Sequence, residues 1–265
     1  DPSRGLERRI HVDRRTPQEA EAEGVDWNAA WPPVRSPELT ARLAKTNPYM
    51  TRIRELDGLI VPFDEAESYR GRWQSLFDKP QPLVVELGSG AGAFLRGEAQ
   101  RRPDRNHIGF ELRYKRIYLA ALRGQEVAPN ARYARYYAQH LTRVFEDHTL
   151  QGIYCQFPDP WPKARQIKNR VINPGTVRDF ARLLVPGGFV RLKSDWPFYL
   201  DWFRGSFQDS PFQETAFVPN ISQRDLPWEN VKTTFETRFL KEGKPSFFIE
   251  FRLPEETPPS DNDTP

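Results

Sequence analysis

Pro82-Leu83-Val84-Val85-Glu86-Leu87-Gly88-Ser89-Gly90-Ala91-Gly92-Ala93-Phe94 decides how the rest of the chain is read. Leu83 to Leu87 is a short apolar run behind a proline, the signature of a buried strand. Glycines follow, and then a stretch of helical spacing from Phe94 to Arg102. Glycine at such a junction lets the backbone take positive φ and approach a ligand closely. Working outward, strands are predicted at 107–110, 131–137, 152–157 and 189–194, with helices at 112–125, 141–145, 177–184 behind Pro174, and 198–207. That alternation implies an α/β fold with a doubly wound, mostly parallel sheet. Two late strands, predicted at 214–218 and 246–253 with no strong helix between them, suggest an antiparallel edge hairpin. The expected total is a seven-stranded sheet.

Composition fits one domain with poorly apolar ends. The chain has 265 residues, of which 38% are hydrophobic, below the globular average. The shortfall lies mostly in residues 1–45, expected to be a flexible or loosely packed extension, and in 254–265, expected to be an acidic disordered tail. Residues 46–253 would then hold the folded domain. Net charge is +3; the tail holds Glu255, Glu256, Asp261 and Asp263, and without them the remainder stands near +7. Such a balance permits a nucleic-acid partner without demanding one. Arg8, Arg9, Arg14 and Arg15 cluster in the extension, read equally as a solvated arm or an RNA contact, and Trp27 and Trp31 are expected to pin the arm to the core.

Cys155 is the only cysteine, so an intrachain disulfide and a cysteine zinc site are excluded, and a reducing, cytoplasmic setting is expected. His107, His140 and His148 show no metal-ligand spacing, and no metal is proposed. No apolar run approaches the length needed to span a bilayer. The first residue is not Met, which reads as a trimmed start, and no secretory leader is visible.

The glycine loop is ambiguous alone, because Gly88, Gly90 and Ala93 also satisfy the dinucleotide fingerprint. Glu86 tilts the reading toward S-adenosylmethionine. An acid just before the first glycine could meet a cationic methionine moiety, whereas it would repel a pyrophosphate. Glu111 follows the second predicted strand, where a carboxylate can accept from ribose hydroxyls of either cofactor or simply cap the next helix. Downstream, Pro158-Asp159-Pro160-Trp161 presents a carboxylate between two prolines that fix φ and remove donors. Ligands of open α/β sheets bind outside the carboxyl ends of the strands, and Glu86, Glu111 and Asp159 would all point there. Lys163-Ala164-Arg165-Gln166-Ile167-Lys168-Asn169-Arg170 carries four bases and no acid, a candidate phosphate-contacting stretch.

At these residues the sequence resembles the tRNA (guanine(46)-N7)-methyltransferase family. The matching segments are Val85 to Gly90, Ile108 to Glu111, Phe157 to Lys163, Lys193-Ser194-Asp195-Trp196, and Thr233-Thr234-Phe235-Glu236. The resemblance implies a Rossmann-like class I S-adenosylmethionine-dependent methyltransferase acting on tRNA and releasing S-adenosylhomocysteine. It implies Glu86, Gly88, Gly90 and Glu111 as cofactor-binding residues and Asp159 as the catalytic acid. Lys163, Arg165, Asp195, Thr233, Thr234, Phe235 and Glu236 are implied to bind substrate. Gln139 stands where the family usually has an acid near the adenine; its amide can still bond an adenine amine. Gln166 and Asn169 replace a common His and a common base. A monomer is expected, with a dimer as the alternative.

These residue types suit the chemistry. Guanine N7 has a lone pair and no proton, so methylation by in-line displacement needs alignment rather than a general base. An acid beside the purine favours the positive charge that develops on the product ring. Two rivals are an amino-group methyltransferase, whose loop would read Asp/Asn-Pro-Pro-aromatic, and a non-catalytic RNA-binding homologue.

Overall fold

The computed structural model describes residues 12–27, 47–222 and 230–255. The run Leu83–Leu87 is a strand buried along its whole length. It belongs to one sheet of eight strands: β1 (Ile60–Val61), β2 (Leu83–Leu87), β3 (Asn106–Phe110), β4 (Ala131–Ala134), β5 (Leu150–Gln156), β6 (Leu184–Ser194), β7 (Gln213–Val218) and β8 (Phe247–Arg252). The order is β1-β4-β3-β2-β5-β6-β8-β7. All pairs are parallel except those made by β8, which runs antiparallel to β6 and β7.

The helices are α1 (Pro17–Ala22), α2 (Tyr49–Arg52), α3 (Ala93–Arg101), α4 (Tyr114–Gly124), α5 (Pro174–Leu183), α6 (Phe198–Phe207) and α7 (Thr234–Lys241). Leu95 and Ala99 of α3 and Ile117, Ala120 and Ala121 of α4 pack with Tyr133 in one core cluster. Val177 and Phe180 of α5 and Tyr199, Trp202 and Phe203 of α6 pack with Val85, Ile108, Ile153 and Leu192 in another. Helices on both faces explain why β2 shows a continuous apolar run instead of alternation. Asn173 caps α5 by accepting from the Thr176 amide, and Pro174 follows at the first helical position, where a missing N–H costs nothing.

Three expectations need correction. The sheet has eight strands, not seven, because β1 pairs Ile60 with Tyr133 and Val61 with Ala134; two residues carry no readable periodicity. The two late strands do pair antiparallel, but α7 lies between them. Its first turn reads as a polar motif, and only Glu236 and Phe239 of α7 are buried, so the apolar signal for a helix is thin. Finally, the loosely packed extension does not describe residues 12–27. Gln18 Nε2 donates to Gly205 O at 2.8 Å, and Trp27 meets Trp202 edge-on at 5.8 Å. Arg8, Arg9 and Trp31, and the tail from residue 256, lie outside the described residues. Among the described residues no helix is long and apolar enough to cross a membrane, and no cluster of His, Cys, Asp and Glu could hold a metal ion.

Candidate active site

Strand order places the site. The chain runs β2, β3, β4 to one side, and then β5 begins on the other side of β2. Such a reversal opens a crevice at the strand carboxyl ends. Leu87 is level with Phe110 and with Cys155, and Gln156 is level with Lys193. The residues just beyond these therefore share one edge: Gly88, Glu111, Phe157 and Ser194. Asp159, Asp195 and the glycine loop are brought to that edge by register alone. A separate cavity of 430 Å³ lies at the opposite edge, lined by Gln81, Asn106 and Asn130 among others.

The glycine loop is shaped for close approach. Gly88 and Gly90 sit at φ +74° and +57°, and a Cβ on either would meet nothing within 4 Å. Backbone conformation, not crowding by the protein, demands glycine there. Ser89 donates its amide to Phe110 O at 2.9 Å, which ties the loop to β3. Three buried polar atoms along this edge have no hydrogen-bond partner: Glu86 Oε2, Ser89 Oγ and Gln156 Oε1. Buried polar groups are normally satisfied, so unpartnered atoms at these neighbouring strand ends are candidates for a polar ligand's partners, although Ser89 Oγ itself packs over Gly109 of β3. Burial pushes the Glu86 carboxyl up to about 8; the Leu95 backbone amide and Lys193 oppose the rise, and nearby Glu111 adds to it. A cationic ligand group would relieve this carboxyl, whereas an anionic one would worsen its position.

Glu111 is buried and accepts from the Arg113 amide at 2.8 Å through Oε1. Gln139 is half-buried in the turn after β4. Asp159 is exposed, with its backbone carbonyl held by Tyr199 Oη at 2.6 Å. Lys163 and Arg165 are exposed beside it, at the start of a 3-10 turn over Ala164–Asn169. Burial raises the Asp195 carboxyl, against the pull of Lys244 and Arg238. Trp161 is half-buried at φ +42°.

The Thr233 to Glu236 stretch divides its tasks. Thr233 caps α7 by accepting from the Glu236 amide. Thr234 and Phe235 face outward, while Glu236 is fully buried. Glu236 accepts from Lys193 Nζ at 2.9 Å and from Asn230 Nδ2. Lys193 Nζ also donates to Asn230 Oδ1 at 2.5 Å. Lys193 thus ties the β6 end to α7 and stands near Glu86. Sequence reading passed over its role. The available signal was a lysine at the end of a buried parallel strand, where a charge needs a partner.

A family model described as "Putative methyltransferase" matches residues 80–249. The tRNA (guanine-N(7)-)-methyltransferase of Brevibacillus brevis is 33% identical over 183 residues, covering 69% of this chain and 86% of that protein. The protein of the same name from Bdellovibrio bacteriovorus is 32% identical over 189 residues, covering 69% of this chain and 90% of that one. Among solved structures, the 16S rRNA methyltransferase KamB superposes with a TM-score of 0.52 at 13% identity, covering 68% of this chain and 90% of that one. That likeness speaks for the fold.

Proposed function

We infer the reaction from one premise, that the chain belongs to the tRNA (guanine-N7)-methyltransferase family: it transfers a methyl group from S-adenosylmethionine to N7 of a guanine in tRNA. The variable-loop guanine 46 is the proposed position, and the cytoplasm the proposed setting. The observation that supports this most is the set of unpartnered buried atoms led by Glu86 Oε2 at the β2/β5 switch point.

The donor supplies an electrophilic methyl on a sulfonium. Glu86 would meet its cationic methionine end, Gly88 and Gly90 would let the backbone come close, and Glu111 and Gln139 would take the ribose and adenine. Asp159 would stand against the guanine, where a carboxylate can accept from N1–H and N2–H or favour charge developing on the ring. The base must leave any stack to reach such a crevice. Lys163 and Arg165 would hold the backbone meanwhile, and Asp195 and the Thr233 to Glu236 segment would border the base.

The direct test is mass-spectrometric mapping of nucleotides after purified protein is incubated with unmodified tRNA and donor. 7-Methylguanosine is expected; methylation on an amino group instead would overturn the assignment. A second measurement addresses Glu86. Its carboxyl, pushed up to about 8, is mostly protonated at pH 7, and an adjacent cation lowers it. Donor binding at pH 7 is therefore expected to release protons, read by calorimetry in buffers of different ionisation enthalpy. Glu86→Gln should abolish the release, and a wild type that releases none contradicts this placement. For Lys163, Ala is expected to weaken tRNA binding and to lower the salt slope by about one. An unchanged slope would remove Lys163 from the phosphate contacts.

A further inference from the structure

The loop that carries Asp159 is held from outside itself at every carbonyl from residue 159 to 162. Tyr199 Oη donates to Asp159 O at 2.6 Å. Arg170 Nε donates to Pro160 O at 3.2 Å, and its Nη2 to Trp161 O at 3.3 Å. The Asp13 amide donates to Pro162 O at 2.6 Å. The same Arg170 Nη2 donates to Asp13 O at 3.2 Å, so a single guanidinium joins the N-terminal segment to the loop.

These holding groups are themselves fixed. Arg170 is 1% exposed, and its guanidinium carbon lies 4.2 Å from the Trp202 ring centroid and 5.1 Å from that of Phe198. Arginine is suited to this because its planar fork stacks on rings while donating in plane. Asp13 is buried, and its carboxylate accepts from Arg15 Nη2 at 2.6 Å and from Arg15 Nε. Beyond it, α1 is anchored on α6 through Gln18. The loop needs such support. Phe157 and Trp161 sit at φ +53° and +42°, a region costly for bulky side chains that persists only where surroundings over-determine it. The family match begins at residue 80, so the segment around Asp13 lies outside it.

We propose that residues 12–16 form a strap which, through the Asp13 amide and Arg170, fixes the Asp159 loop in the position used for methyl transfer. Arg170 and Asp13 are positioning residues: neither is placed against donor or guanine. The inference rests on the reading of Asp159 given above and deepens it, because it makes residues 12–16 a support of the active site. Cofactor-binding acids on β2 and after β3 are untouched by the strap.

The test compares Asp13→Pro, which deletes the donating N–H, and Arg170→Lys, which cannot span the same carbonyls, with Glu21→Ala, an exposed side chain of the same segment, as the control. In the full chain, kcat is expected to fall about 10- to 100-fold in the first two variants, since small misplacements remote from the chemistry cost that much. Donor affinity and the KM for tRNA should stay within about twofold. Hydrogen exchange at the flanking Phe157 and Gln166 amides, which donate to Lys193 O at 2.9 Å and to Lys163 O at 2.8 Å, should quicken, while Glu21→Ala keeps wild-type kcat and exchange. Unchanged kcat in Asp13→Pro overturns the strap, and that variant carries the test should Arg170→Lys fail to fold. A loss confined to KM with a shallower salt slope also overturns it, by making the segment an RNA contact. A wild type without guanine-N7 transfer would sink the functional reading alone; exchange at the Phe157 and Gln166 amides would still decide whether the strap holds the loop.

Discussion

Asp159→Ala is expected to lower kcat by about 10²- to 10³-fold, the loss typical of removing one preorganised electrostatic contact to a transition state. Donor affinity should change little, because Glu86, Glu111 and the glycine loop lie on other elements. The substitution is informative because the loop does not depend on this side chain. Its carbonyls are held by Tyr199, Arg170 and the Asp13 amide, and Asp159 itself is exposed. A loss of turnover with an unchanged melting temperature would therefore report chemistry rather than collapse. Asp159→Asn divides the possibilities further. An Asn that restores most turnover points to hydrogen bonding as the main contribution; one as poor as Ala points to charge. Near-normal turnover in the Ala variant would remove Asp159 from its proposed role.

Lys193→Ala is expected to be the most destabilising single change at the site. The Lys193 and Glu236 side chains are 3% and 1% exposed and 2.9 Å apart. Burial draws the Lys193 ammonium below the usual lysine range, and Glu236 works against that pull. Removing the lysine leaves a carboxylate without its ion partner in a dry site, at a cost of about 3–5 kcal/mol. For a chain of this size the melting temperature should drop roughly 6–20 °C. Replacing both partners, as Lys193→Met with Glu236→Leu, should recover only part of the loss: a buried pair is often no more stable than apolar residues of similar volume, but Asn230 would lose its bonds to both. Differential scanning calorimetry on the two single variants and the double variant gives the coupling. A drop of less than about 2 °C in Lys193→Ala would show that the pair is not desolvated as described. The double variant should still transfer poorly, since the Thr233 to Glu236 segment would lose its tie to β6.

Much of the fold was legible locally. A proline, four apolar residues with one acid among them and a glycine cluster specified β2 and its loop, because burial on both faces removes alternation and tight turns need glycine. Pro174 marked the start of α5, and the helix at Phe198–Phe207 matches its sequence reading in both bounds. The misses share a cause. β1 has only two residues, and α7 begins with a cap and an outward-facing Thr234 and Phe235, so neither offers an apolar period. The site divides the same way. Glu86 and Asp159 stood out because an acid beside glycines or between prolines is chemically odd in its immediate neighbourhood, and Glu111 because it follows a predicted strand. Lys193, Arg170 and Asp13 did not, since each looks ordinary until its partner is known.

Residue order alone determined an alternating α/β chain, a glycine turn open to a ligand, and acids placed at strand ends. Only the tertiary structure decided that β5 lies beside β2, that Glu236 meets a lysine 43 positions away, and that Asp13 meets an arginine 157 positions away. The physical reason is range. Periodicity, caps and turn chemistry act within a few residues, whereas strand neighbours and buried charge partners are chosen by how the whole chain packs.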